Sequence, residues 1–108
     1  MAKGAYLGEF EHIVLLTVLR LGEDAYGAAI RAEIERVTDR FSTIGAIHAT
    51  LERLERKGLV SSRIGEPTAE RGGKAKRHFK IERAGIAALK DVRMTLERLH
   101  TGLSLRNV

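Results

Sequence analysis

Apolar positions along the chain fall into four helical patterns and one pair of short alternating segments. The first pattern runs from about Leu7 to Leu21, where Phe10, Ile13, Val14, Leu15, Leu16, Val18 and Leu19 cover most of a helix circumference. A helix that is apolar nearly all round is one that is covered from several sides. Gly22 supplies its stop. A second helix is expected at once, with Asp24 as N-cap and Tyr26, Ile30, Ile34 and Val37 recurring at helical spacing opposite a face of Arg31, Glu35 and Arg36. After a short connection over 39–42, Ser42 or Thr43 caps a third helix that runs to about Lys57. Its apolar stripe is Ile44, Ile47, Leu51 and Leu54, and its opposite face shows Gly45, Ala46, His48, Ala49, Thr50 and Arg53. Gly58 follows in the position of a helix-ending C′ glycine.

The pattern then changes period. Leu59 to Ile64 is a strand candidate, and Arg77 to Ile81 alternates with Phe79 and Ile81 facing inward. Between them, residues 65–76 hold the chain's one proline and a glycine pair, which predicts a long hairpin tip. The last helix is expected from about Arg83 to Gly102. Ile86 or Leu89, then Val92, Leu96, Leu99 and Leu103, step by three and four along a narrow seam of the kind that pairs with another helix.

Composition sharpens this picture. With 108 residues, 44% of them hydrophobic, the chain makes one small domain whose core is thin, so a dimer interface is expected to add buried area. The absence of cysteine excludes disulfides, thiolate zinc sites and a cysteine nucleophile. The N-terminal residues do not lead into a signal peptide, and the run from Ile13 to Leu19 is too short to span a bilayer; the expected location is the cytoplasm, with no membrane partner.

The net charge of +5 is unevenly placed. Residues 1–52 carry five Lys/Arg against eight acids, whereas residues 53–83 carry ten Lys/Arg against four. Nucleic-acid surfaces concentrate cations in this way, because phosphate contacts supply most non-specific affinity. Three helices followed by a basic hairpin is the order of a winged helix-turn-helix, mainly α with a small β-wing, in which the third helix enters the major groove. Residues 1–82 then form the winged-helix part and 83–108 the C-terminal dimerisation helix and tail, together one structural unit.

Several segments resemble the PadR-like transcriptional regulators, over most of the chain from Leu7 to about Leu99. Leu7-Gly8-Glu9-Phe10-Glu11 resembles the opening of that family's first helix, and Tyr26-Gly27-Ala28-Ala29-Ile30 the start of its second. The most specific match is Ser42 to Val60, which looks like the recognition helix with its Leu-x-x-Leu-x-x-x-Gly-Leu ending; Arg77 to Gly85 resembles the second wing strand leading into the dimerisation helix. Where the family usually carries tyrosine, this chain has His48 and Ala28, and Glu82 stands where a threonine cap is usual. The resemblance implies a homodimeric repressor of the short form, with a single C-terminal helix packed on the partner's first helix, released from a palindromic double-stranded operator by a small apolar or aromatic effector.

The DNA-facing residues expected on this basis are Ser42, Thr43, Gly45, His48, Ala49, Thr50 and Arg53 on the recognition helix, and Arg63, Arg71, Lys74, Lys76 and Arg77 on the wing. Arg53 is the leading base reader, since arginine forks onto guanine O6 and N7. Dimerisation is expected through Phe10, Ile13, Leu89, Val92, Leu96, Leu99 and Leu103. Two other readings compete: a winged helix that docks an acidic protein, and a ligand-sensing dimer with an apolar pocket between subunits, lined by Phe10, Met94 and nearby leucines. Two Glu-x-x-His pairs, Glu9/His12 and Glu97/His100, have the spacing used in di-iron bundles, but such pairs arise readily in a glutamate-rich chain. No metal or other cofactor is expected. Gly72-Gly73-Lys74 lacks P-loop spacing and no nucleophile–base pair is visible, so no enzymatic activity is expected.

Overall fold

The computed structural model describes residues 6–66 and 75–107. Helix α1 spans Glu9–Leu21, α2 Gly27–Thr38, α3 Ile44–Arg56 and α4 Arg83–His100; strands β1, Val60–Ile64, and β2, Arg77–Ile81, precede α4. The strands pair antiparallel, with Val60 opposite Ile81 and Ser62 opposite Phe79. This is the winged helix-turn-helix arrangement expected from the sequence.

One core joins the elements. Val14, Leu15 and Val18 of α1 meet Ile30 and Ile34 of α2, Ile47, Leu51 and Leu54 of α3, and Leu59, Val60 and Phe79 at the base of the wing. The first half of α4 closes it with Ala88 and Leu89. Leu89 is therefore part of the chain's own core, which corrects its expected place in the dimer seam: with Gly85 and Ala88 it lies on the face of α4 that packs inward. Phe10 and Ile13 likewise pack against this core, although both remain partly exposed.

Local chemistry sets the element ends. Gly58 adopts φ +77°, its N–H donates to Glu55 O and the Leu59 N–H to Leu54 O. These two bonds form a Schellman motif, which ends α3 and turns the chain into β1. The start of α2 differs from expectation. Asp24 is not its N-cap; residues Gly22–Asp24 form a 3₁₀ turn and Tyr26 occupies the cap position, without a side-chain cap bond. The cause is a tertiary contact: the Phe79 N–H donates to Ala25 O at 2.8 Å, and Tyr26 bridges to His78 across the edge of β2. Strand pairing thus delays the helix by two residues.

Val37, expected in the apolar stripe of α2, is 49% exposed, as are Leu16 and Leu19 of α1 at 44% and 48%. The all-round apolar α1 is thus covered on only part of its circumference by the described residues. Leu16, Leu19 and Val37 line a groove of about 330 Å³ between α1 and α2, whose rim is held by Arg20 and Arg36 on Glu33. Phe10 and Met94 do not line it; the Arg40 guanidinium lies over the Phe10 ring and Met94 is half exposed on α4.

Candidate nucleic-acid interface

Thr43 is the residue that caps α3, its hydroxyl accepting from the Ala46 N–H at 3.1 Å. The Ser42 hydroxyl is shielded and finds no partner among the described residues. Beyond the cap, Gly45, Ala46, His48, Ala49, Glu52, Arg53 and Arg56 are exposed along one side of the helix. The first of these are small, so another surface can approach the α3 backbone closely. His48 lies over the first turn of α2. A Cβ on Gly27 would come within 2.9 Å of His48 Cε1, so glycine there makes the room that the imidazole occupies.

Thr50 does not belong to that exposed side. It is 2% exposed, because it stands three residues after Ile47 and four before Leu54, on the stripe that faces the core. Its expected role as a direct DNA contact is corrected accordingly. Its hydroxyl instead accepts from Arg53 Nη2 at 3.2 Å. Arg53 Nε donates to Glu11 Oε2 at 3.3 Å, and the arginine side chain remains nearly half exposed.

Glu11 is not among the site residues expected from the sequence, yet it ties α1 to α3. Its second oxygen accepts from Lys57 Nζ at 2.8 Å and from the Gly8 N–H at 2.9 Å. Lys57 Nζ also donates to Tyr6 O. Burial pulls the Glu11 carboxyl upward, but the hydrogen bonds from Lys57, Gly8 and Arg53 outweigh it and leave it below the ordinary value of 4.5. Glu33 is lowered further, to about 2, by the hydrogen bonds from Arg36 and Arg20. A carboxylate depressed in the folded state stabilises above its unfolded value and loses that contribution as pH falls through its folded value. The urea midpoint is therefore expected to fall between pH 4.5 and pH 2, less steeply in Glu11→Gln; equal midpoints at pH 7 and pH 3 would contradict these pairings.

The wing carries cations of two kinds. Arg77 is committed to structure: Nη2 donates to Glu55 Oε1 at 2.6 Å, Nε to Ser62 Oγ at 3.1 Å, and the guanidinium lies 5.1 Å from the Phe79 ring centre. It fastens the wing base to the last turn of α3. Arg63 is exposed on β1, and Lys76 Nζ sits 4.6 Å from the Tyr26 ring centre, over the start of α2. Arg71 and Lys74 lie outside the described residues. The structure therefore brings α3, the start of α2 and the wing base together. Among the described residues no three His, Asp or Glu side chains cluster as a metal site, and no helix is long and apolar enough to cross a membrane.

The sequence profile described as "Transcriptional regulator PadR-like family" matches residues 15–91, most of the chain. The chain belongs to the PadR-like family. Solved PadR-like structures share its fold. A PadR-like transcription factor from Bacteroides fragilis superposes with TM-score 0.68 at 18% identity, covering 84% of this chain and 82% of the other. A transcriptional regulator from Clostridium thermocellum gives TM-score 0.66 at 23% identity, with 83% and 84% covered. Bacillus subtilis PadR, solved in complex with operator DNA, gives 0.65 at 19% identity over 80% of this chain and 47% of that longer one. Among curated proteins none matches. The family is one of transcriptional regulators, and the winged elements described above lie largely within the matched span.

Proposed function

We propose that this PadR-like chain is a homodimeric, sequence-specific DNA-binding regulator of the cytoplasm, a repressor that leaves its palindromic operator when a small apolar or aromatic effector binds. The observation that carries this reading is the exposed side of α3. Gly45, Ala46 and Ala49 let the helix backbone approach a groove wall, while Thr43, His48 and Arg53 offer hydrogen-bond donors along the same helix. Phosphate contacts set register and affinity, and base contacts set sequence. Arg63, Lys74 and Lys76 on the wing serve the first role, together with Arg71, while Arg53 serves the second. The winged-helix part, 1–82, holds these groups, and 83–108 brings two copies together so that their α3 helices address half-sites roughly 34 Å apart. The operator complex of the Bacillus subtilis relative supports the reading by fold.

The test is a gel shift on the duplex upstream of the chain's own gene, against a scrambled duplex of equal length and at two salt concentrations. A preference for the upstream duplex is expected, and equal affinity for both would overturn the reading. Lys74→Gln with Lys76→Gln is expected to weaken binding to both duplexes. It should also flatten the slope of log affinity against log salt by about 0.9 for each phosphate left unneutralised. An unchanged slope would remove these two lysines from the phosphate-binding set. Arg77 is left intact in this test because its loss would also release the wing base from Glu55.

A further inference from the structure

Arg53 is restrained from two helices at once. Nε is held by Glu11 of α1 and one Nη2 hydrogen by Thr50 of α3. Both anchors are themselves fixed. Glu11 is buried and also takes Lys57 Nζ and the Gly8 N–H, and Thr50 sits in the core stripe three residues before Arg53. A guanidinium has five N–H donors in a rigid fork. Two are engaged here, which leaves both Nη1 hydrogens and one Nη2 hydrogen on the outer end, the edge that pairs with two acceptors of a guanine or a phosphate.

We propose that Glu11 and Thr50 are positioning residues for Arg53, holding its guanidinium in one orientation so that its outer edge is presented, already ordered, to an operator base pair. This rests on the DNA-binding reading above. A free arginine gives up rotamer freedom when it binds, whereas an arginine pinned beforehand has already given it up, so affinity for the matching base rises without any new contact to DNA. An ordinary exposed ion pair would do little, since both partners remain mobile in water. Here the acid is buried and held by three different donors. The same contact read as a competitor for Arg53 has the opposite sign: removing Glu11 would then free the arginine and raise affinity.

The experiment measures Kd of the full chain for the operator duplex and for a scrambled duplex at one salt concentration. The variants are Arg53→Ala, Thr50→Val, Thr50→Ser, Glu11→Gln, and the first of these combined with Thr50→Val or Glu11→Gln, each checked for folding by thermal melting. Thr50→Val and Glu11→Gln are expected to lower the operator-to-scrambled affinity ratio roughly two- to tenfold, the cost of ordering one long side chain at binding. Thr50→Ser, which keeps the hydroxyl, is expected to retain the wild-type ratio. In the Arg53→Ala background neither change is expected to lower the ratio further. If Glu11→Gln fails to fold, the Thr50 series decides alone. A wild-type ratio in Thr50→Val, additive losses in the Arg53→Ala background, or a rise in operator affinity would overturn the positioning role while leaving DNA binding in place. No operator preference in the wild type would overturn both.

Discussion

Gly85→Ala is expected to destabilise the chain by about 1–3 kcal/mol, the range for forcing extra atoms into a packed site. In a domain of this size each kcal/mol moves Tm by roughly 4–8 °C. A Cβ on Gly85 would fall 2.4 Å from Leu59 O and 2.8 Å from Ile81 Cγ1. The carbonyl cannot simply retreat, because it accepts the Glu82 N–H at 2.9 Å, the bond that seats the N-terminus of α4 against the residue leading into β1. Glu82, at the α4 cap position, makes no side-chain cap bond and instead accepts from the Ser61 hydroxyl, so the helix start depends on this backbone seat. Gly45→Ala is the matched control. No atom of the described residues lies within 4 Å of its Cβ position, and alanine is the better helix residue by about 0.5–1 kcal/mol. Melting curves that move by the same amount in both variants would reject close packing at Gly85 as the cause.

The residues that are legible in the sequence are those whose signal is local. Thr43 as cap, Gly58 as stop and the alternation around Phe79 each depend on neighbours within one turn or one strand, and the structure has them in those roles. Asp24 carries an equally good local signal and loses it to pairing between Ala25 and Phe79, residues far apart in the chain. Thr50 and Glu11 escape a local reading for a different reason. Thr50 shares a stripe with Ile47, Leu51 and Leu54, and Glu11 shares one with Val14, Leu15 and Val18. Spacing alone places both on the core side, but a polar side chain among apolar ones invites assignment to the surface. Each is tolerated there because a partner from outside the stripe satisfies it, and the two share that partner in Arg53. A polar residue standing in register with a buried stripe is the available signal. The paired role of Arg77 has no such signal, since the wing base meets Glu55 only once the hairpin has closed.

Leu96→Glu with Leu99→Glu is expected to give a chain that sediments as a monomer and binds the operator about 10²–10⁴-fold more weakly, the gain that linking two sites ordinarily supplies. The second half of α4 and the turn after it are poorly covered by the described residues: Leu96 and Leu99 of the helix are 46% and 68% exposed, and Leu103, expected to continue the helical seam but placed beyond the end of α4 at His100, is 64% exposed. Burying one leucine is worth about 1.5–3 kcal/mol, and a two-fold interface counts each residue twice. The exposed side of α1 offers the matching surface in the proposed dimer, through Leu16 and Leu19. Glutamate at 96 and 99 would have to leave water beside that apolar surface, near its own symmetry mate, so association fails even if α4 stays helical. The winged-helix core does not include these two positions, and its melting transition is expected to persist. Low-salt binding to scrambled duplex should also survive, since each monomer keeps its own wing and α3. A double variant that stays dimeric and keeps wild-type operator affinity would move the subunit contact off this seam; one that turns monomeric yet keeps that affinity would show that a single α3 and wing suffice.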